Sequence, residues 1–546
     1  MKLSFIDVAQ RRNPAIGFLF LMLLVLPLTA TAGTTYYVDK TMPGASNDGK
    51  GTDPARPWLT LARAGATVVA GDTVIVGAGG SYDEAVTFKN SGASGNPIAI
   101  VAAPGTRPKV RRFDLSYKSY ITVNGFEITN EGYTPDRNPS IFLRGTRGVR
   151  IINNYLHDTT TNTAGIRVAG AKAFDLYLSG NTLNGIGPVG NRAIGMELWG
   201  DNILSEGNDI SHTQDFTRVY GSRNIIRNDV WHDTPASEQP TAHIDGMQSF
   251  CSNGMPNEAA NYLLIEGVYY HDNPGPDEHF ALINATSNCG GSTTVILREN
   301  ILYGFGEATY ISDTNRSFGS FHKVYNNTVV NAPFGGSRNT ITVSLSGITG
   351  GSVLNNIFVD AITNGNPLNM YTLKPGDSTS VGNHNLAFFT SGSVRWSNPI
   401  AAERNSKLNR NPLFVGAPDF HLQAQSPAID AGGALTTVSV EDTGNGTNLV
   451  VNDSHFFQDG WGGAQPDWIA VGTTGNSVQI SSIDYATNAI TLAEPITRRA
   501  GQSVWLYKNS TGLRVLYGTA PDLGALEFGD TRVPANNEGT AVPEQR

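Results

Sequence analysis

The sequence lacks three features, and each absence argues against a class of protein. Beyond its first 32 residues it has no apolar run long enough to cross a bilayer, which argues against a membrane-spanning protein. Its ten histidines and two cysteines show none of the spacings typical of zinc sites, so we expect no zinc site. The net charge of −9 argues against nucleic acid as a partner.

The first 32 residues have the features of a signal peptide. Arg11 and Arg12 form a basic start, the apolar run from Ala15 to Leu28 is short for a membrane span, and Ala30 and Ala32 suit a cleavage site. We predict that residues 1–32 are removed. The mature protein would then be secreted or periplasmic, without stable membrane insertion, in a compartment that permits disulfides.

A short apolar pattern recurs along the 546 residues, mostly at steps in the high twenties. Copies include residues 149–156 (VRIINNYL), 295–302 (VILRENIL) and 353–359 (VLNNIFV). No helical pattern separates them, so we predict an all-β solenoid whose coils bury their apolar side chains against one another. Asparagines at the turn are predicted to hydrogen-bond along the stack. The positions taken to mark the coils are Gly125, Asn153, Asn181, Asn208, Asn228, Gly267, Asn300, Asn327, Asn356 and Asn385.

Both ends of this repeat region carry motifs of a known superfamily. Near the start are residues 36–38 (YYV), 51–61 (GTDPARPWLTL), 71–76 (GDTVIV), 95–100 (GNPIAI) and 104–105 (PG). Near the end are residues 411–414 (NPLF), 426–432 (SPAIDAG) and 522–528 (DLGALEF). These segments resemble the caps of secreted right-handed parallel β-helix proteins of the pectate-lyase-like superfamily. The resemblance implies that fold and a polysaccharide-associated context, but no single activity.

These patterns together predict the domain organisation. Residues 33–435 form the right-handed parallel β-helix, with a short helix in 57–68 that covers the first coil. Residues 436–518 alternate apolar segments with Gly and Asn turns, which predicts a small inserted β domain. Its Trp461 and Trp468 are expected to fill its core, with carbohydrate binding as the alternative. Residues 519–530 are predicted to form a cap strand, and residues 531–546 a disordered tail.

One outward row of side chains is predicted along successive coils. If the aliphatic residues of the second strand in each coil face inward, then Arg167, Glu197, Arg218 and Gln248 follow one another on the outside. Between Arg137 and Arg227, basic residues outnumber acidic ones by three. This row is either the floor of a groove for an extended anionic polysaccharide or a solvated face with ion pairs.

A polar cluster falls within and just after the longest coil step, the 39 residues from Asn228 to Gly267. It contains His243 and Asp245, and His279 follows one coil later. Coil insertions shape surface grooves without disturbing the stack, so we predict a functional site here. Three His-Asp pairs, at 157–158, 232–233 and 271–272, recur at one turn of the coil and are predicted to be structural.

The cluster is flanked by a cysteine pair and by acidic residues. Cys251 and Cys289 are 38 residues apart, almost one coil step, and are predicted to form a disulfide between adjacent coils. Asp245, Asp277 and Glu278 are carboxylates that could bind Ca²⁺.

The economical chemistry on a uronate polymer is β-elimination. In this hypothesis His243 or His279, with Asp245, removes the proton at C5, and Arg218 or Arg167 holds the carboxylate. Glu197 and Gln248 would contact substrate, and Tyr270 would contact it or donate a proton. Ca²⁺ is an alternative means of neutralising the carboxylate.

Other functions stay open at this point. An epimerase uses the same first step, and a glycoside hydrolase needs two carboxyl groups, which Glu197, Asp245 and Asp277 could supply. A non-catalytic carbohydrate-binding or surface protein is the rival from another class. The motifs of β-helix polygalacturonases and pectate lyases are absent, so no catalytic residue is carried over from those families. The protein is expected to act as a monomer.

Overall fold

The computed structural model describes residues 33–131, 138–160, 162–240, 242–250, 258–273, 278–284, 294–305, 309–312, 321–330, 343–345, 348–361, 371–374, 376–390, 392–393, 405–441 and 446–532. The predicted signal peptide, Cys251, Cys289 and Asp277 lie outside these residues, as does the side chain of Glu278. No helix among the described residues is long and apolar enough to cross a membrane.

The chain forms a parallel β-helix, as the repeat pattern predicts. Every strand of the first sheet pairs in parallel with the equivalent strand one coil later. This sheet comprises Thr35–Val38, Thr73–Val76, Ile98–Ala102, Ile121–Asn124, Arg150–Ile152, Tyr177–Ser179, Leu204–Glu206, the end of Asp215–Arg227, Ala260–Glu266, Val295–Arg298, Lys323–Tyr325, Ser352–Leu354 and Val381–Asn383.

Two further parallel sheets complete the coils. The second comprises Glu127–Ile128, Tyr155–His157, Thr182–Asn184, Asp209–Ser211, Val230–His232, Tyr269–Asn273, Ile301–Phe305, Thr328–Val330, Ile357–Val359, Leu386–Phe388 and Lys407–Leu408. The third comprises Ile141–Phe142, Ala164–Arg167, Ile194–Asp201, the start of Asp215–Arg227, Ile244–Phe250, Glu278–Asn284, Thr309–Ser312, Val343–Leu345 and Tyr371–Leu373. Tyr82–Thr87 pairs with Lys109–Asp114, and Lys109–Asp114 pairs in turn with the first strand of the second sheet and the first strand of the third sheet. Ala173–Phe174 pairs with the end of Ile194–Asp201.

An asparagine ladder fixes the turn between the first and second sheets. Asn181 donates its amide to Asn208 at 2.9 Å, and Asn327 donates to Asn356 at 3.0 Å. The ladder positions are Phe126, Asn154, Asn181, Asn208, Asp229, Val268, Asn300, Asn327, Asn356 and Asn385. The predicted ladder is therefore confirmed, but four of its marks were one residue early. Those four, Gly125, Asn153, Asn228 and Gly267, occupy the left-handed conformation that precedes the ladder.

The His-Asp pairs lie at the end of second-sheet strands. In each pair the histidine Nδ1 contacts the carboxylate of the next residue, at 2.9 Å for His157 and 2.7 Å for His232. Asp158 and Asp233 have positive φ, as aspartates in turns often do. These contacts agree with a structural role for the pairs.

The N-terminal cap forms as predicted. The helix Leu61–Thr67 begins after Thr60, whose hydroxyl accepts a hydrogen bond from the Arg63 amide at 3.2 Å. Leu61 and Ala64 are buried, and Trp58 stacks on Tyr36 at 4.7 Å beneath the helix.

The inserted region forms a separate antiparallel sheet packed on the outer face of the first sheet. Its strands are Thr436–Thr437, Asn448–Val450, Trp468–Val471, Thr473–Asp484, Ala489–Leu492 and Ser503–Lys508. Its core includes Leu264 and Ile296 of the β-helix together with Ile469 and Val504 of the insertion. Trp461 is buried in this core, as expected, and Trp468 is half-buried beneath Lys508. We refer to residues 436–518 as the antiparallel module.

The C-terminal cap differs from the prediction. Residues 519–530 contain no strand, because buried carboxylates take the backbone hydrogen bonds that a ladder would use. Asp522 accepts from the Asp430 amide at 2.6 Å, and Glu527 accepts from the Asp522 amide at 2.8 Å. Arg532 pairs with Glu299 at 2.7 Å, so the predicted disordered tail is wrong at this residue. Residues 533–546 lie outside the described part. Between the β-helix and the antiparallel module, Phe414–Gly416 and Asp419–Leu422 form a hairpin.

Candidate functional site

The outward row predicted for the third sheet is present in the predicted order. Strand pairing aligns Arg167 with Glu197, Glu197 with Arg218, and Arg218 with Gln248. Val168, Leu198, Val219 and Met247 lie in the core, which is the alternation that the sequence indicated. The row is continuous across four coils.

A second outward column begins the same strands and contains Asp245 and His279, which the sequence analysis named, and Asp215, which it did not. Asp215 aligns with Asp245, and Asp245 with His279. The strand alternation breaks here because Gly246 and Met247 both face the core. A Cβ on Gly246 would lie 2.6 Å from the Phe280 carbonyl and 3.1 Å from the Trp231 ring. Only glycine fits at this corner, and Asp245 is thereby turned outward.

Asp245 holds two histidines. The Nδ1 atom of His279 lies 2.7 Å from Oδ1 of Asp245, and Nδ1 of His243 lies 2.7 Å from Oδ2. The His243 contact is close but is not aligned as a hydrogen bond. The two rings are 6.0 Å apart and nearly perpendicular. Since each histidine contacts Asp245 through Nδ1, each keeps Nε2 on the far side of its ring.

Burial separates the roles of these three residues. Asp245 is 0% exposed, whereas the side chain of His243 is 38% exposed and that of His279 is 16% exposed. Burial acts to raise the pKa of Asp245, but the contacts with both imidazoles outweigh it, so the pKa lies below its usual value. Contact with Asp245 raises the pKa of His243. An ionised carboxylate thus orients an accessible imidazole and increases its basicity.

Asp215 lies beside this group, and its pKa is shifted in the direction opposite to that of Asp245. Burial raises its pKa to about 6, against the opposing charge of Arg218, whose Nε lies 2.5 Å from Oδ2 of Asp215. The other carboxyl oxygen, Oδ1, is buried without a hydrogen-bond partner among the described residues. Sequence analysis missed Asp215 as a site residue. Its alignment with Asp245, three residues before the row positions Arg218 and Gln248, was the available signal.

Both arginines of the row bind their acids through Nε. Arg167 contacts Glu197 at 2.7 Å in this way, and Arg218 contacts Asp215 at 2.5 Å. In each pair the shortest contact is the one made by Nε. Both side chains are partly exposed, which leaves them able to hold a further carboxylate.

Aromatic side chains border the row on its other side. Tyr220 is buried with its hydroxyl unpartnered among the described residues, and its ring meets Phe250 at 5.9 Å. Trp199 aligns with Tyr220 and donates its indole N–H to Glu258 at 2.6 Å. The sequence prediction had not singled out these residues.

Tyr270, predicted to contact substrate, lies elsewhere. It is 0% exposed and packs in the core between Phe216 and Phe280, so a ligand at the surface cannot reach it. In the strand Tyr269–Asn273, Tyr269 faces outward and Tyr270 inward, which is the opposite of the orientation that the prediction needed.

His243, Asp245 and His279 also form a possible metal-binding group. One ligand atom from each lies within 4.8 Å of the other two. Two imidazoles and one carboxylate suit zinc or another transition metal, whereas Ca²⁺ takes six to eight oxygen ligands. The N···O distances of 2.7 Å are also shorter than the roughly 3.4 Å that separates ligands around one tetrahedral metal. The donor set does not fit Ca²⁺, and the predicted ligands Asp277 and Glu278 offer no described side chain.

No protein-family model matches the sequence, and no curated protein matches it. Solved structures of low identity do align with the chain. A GH136 lacto-N-biosidase from Eubacterium ramulus aligns at 13% identity over 65% of this chain and 68% of that chain, with a TM-score of 0.46. XylC in complex with xylose aligns at 12% identity over 90% and 98%, with a TM-score of 0.42. The PL6 family alginate lyase AlyGC aligns at 14% identity over 66% and 53%, with a TM-score of 0.41. Similarity at this level carries no argument about activity.

Proposed function

We propose that the protein is a polysaccharide lyase that cleaves a uronate-containing polymer by β-elimination. The observation that carries the proposal is the arrangement on one face of the third sheet. An imidazole made more basic by a buried carboxylate lies one strand from the partly exposed Arg218, and Arg167 continues the row two strands further along.

In this proposal His243 is the base. It is the more exposed of the two histidines, and Asp245 fixes its orientation through Nδ1. Nε2 of His243 would take the proton from C5, and the electron pair of that C–H bond would form the C4–C5 double bond as the C4–O4 bond breaks. Asp245 carries the negative charge that stabilises the imidazolium formed in this step.

Arg218, the arginine nearer the histidines, or Arg167 would hold the substrate carboxylate. Removal of the C5 proton places negative charge on that carboxylate, and guanidinium groups stabilise it through charge-assisted hydrogen bonds. His279, which contacts the other oxygen of Asp245, would deliver a proton to the leaving O4 oxygen. The buried Glu197 keeps the Arg167 guanidinium in the row by a 2.7 Å contact.

The double variant His243→Ala and His279→Ala tests these roles. We expect turnover of the preferred uronate polymer to fall at least 10²- to 10⁴-fold, the usual contribution of acid–base groups. Binding should stay within about threefold, because the arginines are unchanged. His421→Ala is the matched control, since His421 also pairs with an aspartate but lies in the C-terminal hairpin. Turnover that survives the double variant would contradict the assigned roles.

A glycoside hydrolase is the second candidate function. Asp215 and Asp245 align on adjacent strands, and their surroundings move their pKa values in opposite directions, as in acid–base pairs of hydrolases. Against it, both carboxyls are fully buried and Asp245 is engaged by two imidazoles. A hydrolase would release reducing ends without an unsaturated product, and Asp215→Asn would abolish that release.

Two other functions predict different products. A uronan epimerase would leave chain length unchanged while the stereochemistry at C5 inverts, which NMR detects. A non-catalytic carbohydrate-binding protein would bind polymer without any product, and the double histidine variant would leave that binding unchanged. We also propose that the protein is secreted or periplasmic and that it acts as a monomer.

A further inference from the structure

A large cleft lies between part of the first sheet and part of the antiparallel module. Its volume is about 1080 Å³, at the upper end of the range for small-molecule sites. The outer face of the first sheet forms one wall, and the segments around residues 434–437, 452–456 and 485–488 form the other. No role in the proposed lyase chemistry uses this cleft.

Four rings form a connected row along the cleft. Phe321 stacks on His455 at 4.1 Å, His455 meets Tyr485 at 5.3 Å, and Tyr485 stacks on Tyr262 at 4.8 Å. His455 and Tyr485 are buried between the outer rings, whereas Phe321 and Tyr262 are partly exposed. Such a row presents rigid apolar surface to a ring-shaped ligand with apolar faces.

Amide groups surround this aromatic surface. Asn261, Asn383 and Asn488 each accept a backbone hydrogen bond through the side-chain oxygen, which fixes the orientation of the amide. Their Nδ2 groups make no hydrogen bond to any described residue. The cleft therefore offers fixed hydrogen-bond donors beside apolar rings, as sugar hydroxyls and ring faces require.

The charges of the cleft favour an uncharged ligand over an anionic one. Its lining contains no lysine or arginine among the described residues. The acids of the lining are Glu258, which pairs with Lys172 at 3.0 Å, and Asp453, which pairs with the buried Lys323 at 2.6 Å. A uronate would face these acids with no unpaired cation to hold it.

We infer that this cleft is a second carbohydrate site, which binds an uncharged oligosaccharide. The inference is independent of the proposed lyase activity, because no residue with an assigned role in that chemistry lines the cleft.

One strand contributes residues to both sites, but its two halves face different surfaces. In Asp215–Arg227 the chain passes Arg218 and Tyr220, bends at Gly221 with φ +96°, and then contributes Ser222 to the cleft. A Cβ on Gly221 would lie 2.2 Å from the Gly200 carbonyl, so the bend requires glycine. Because the bend places the two sites on different faces, both can be occupied together.

Binding to the mature protein tests the inference. The probes are cellohexaose, xylohexaose, mannohexaose, chitohexaose and hexagalacturonate, each titrated by calorimetry. Ala486→Trp fills the cleft from an exposed position, and Phe321→Leu removes a ring while it keeps apolar volume. Ala493→Trp is the matched control, because Ala493 is exposed on the same module outside the cleft. His243→Ala reports on the other site.

We expect at least one uncharged hexasaccharide to bind. Its affinity should fall tenfold or more in Ala486→Trp and Phe321→Leu, and stay within twofold in Ala493→Trp and His243→Ala. The melting temperatures of the variants establish that each is folded. The inference is wrong if no uncharged probe binds, if Ala486→Trp leaves its affinity unchanged, or if Ala486→Trp instead weakens hexagalacturonate.

Discussion

At the scale of single residues, Asp245 is the residue on which the proposed chemistry depends. It is fully buried, yet its contacts with His243 and His279 keep it ionised. We assign the proton abstraction to Nε2 of His243, the ring that Asp245 contacts through Nδ1. The proposed acid–base chemistry therefore requires the charged form of Asp245.

Asp245→Asn should change both the rate and its pH dependence. The contact with Asp245 raises the pKa of His243, so the wild-type rate should rise with pH through a limb above the ordinary histidine range, as the base loses its proton. Without the charge this limb moves to lower pH, and the rate should fall roughly 10²-fold or more. The profile of kcat/KM against pH measures both effects. An unchanged limb would show that His243 is not the base.

Asp229 is the one acid in the asparagine ladder. It accepts hydrogen bonds from the Asn208 amide groups at 2.8 and 3.2 Å, and burial raises its pKa to about 7. The folded state therefore binds this proton more tightly than the unfolded chain does. Stability from this group is complete below about pH 4 and is lost as the pH rises to 7.

Asp229→Asn should remove that loss. The free energy of unfolding at pH 8 should rise by roughly 2–4 kcal/mol, since one pKa unit corresponds to about 1.4 kcal/mol. Denaturant unfolding between pH 4 and pH 8 gives the comparison, with the exposed Asp48→Asn as a control that changes little. Equal pH dependence in wild type and Asp229→Asn would contradict this account.

At the scale of elements, the strand pattern shows what the sequence can and cannot predict. The outward order of Arg167, Glu197, Arg218 and Gln248 follows from alternation alone, because side chains of a strand point to opposite faces in turn. Asp215 was missed because alternation fails at the corner, where Gly246 and Met247 both face the core. The coil register was off by one at Asn153 and Asn228 because Asn suits both the ladder and the left-handed residue before it.

The C-terminal elements also differ in how far a local sequence pattern could predict them. The strands of the antiparallel module were predictable, since their alternation is local. The cap at residues 519–530 was predicted as a strand, and the hydrogen bonds from its backbone to Asp522 and Glu527 could not be foreseen. Such side-chain acceptors depend on burial that only the assembled coils create.

Arg298 joins the antiparallel module to the β-helix. It binds Asp467 of the module with both terminal nitrogens at 2.7 Å and Glu266 of the β-helix through Nε at 2.6 Å, all fully buried. Loss of one partner leaves the other charges buried without compensation.

Arg298→Ala should therefore cost roughly 3–5 kcal/mol of stability. Arg223→Gln is the matched control, because Arg223 also faces an acid of the module, Asp459, but at 3.9 Å and half exposed. Its cost should stay below about 1 kcal/mol. Denaturant unfolding followed by tryptophan fluorescence, which includes the buried Trp461 of the module, measures both. Similar small effects of the two changes would contradict the role of Arg298 in docking.

At the scale of the whole molecule, two sites with different charges lie on different faces of one β-helix. The third sheet carries the arginine row and the Asp245 group, and the first sheet carries the uncharged cleft against the antiparallel module. The fold was predictable from its period and its caps, but the cleft was not. It arises where two distant parts of the chain meet, and no local pattern encodes its shape.

The most direct test of the proposed function is the ultraviolet absorbance of an unsaturated uronate product. Purified mature protein is incubated with a panel of uronate polymers, with and without chelator. We expect a rise in absorbance on at least one polymer. Because His243 is proposed to act as the base without a metal, the rise should persist with chelator. Loss of the rise with chelator would assign a metal to the His243, Asp245 and His279 group. No rise on any polymer of the panel would contradict the lyase proposal.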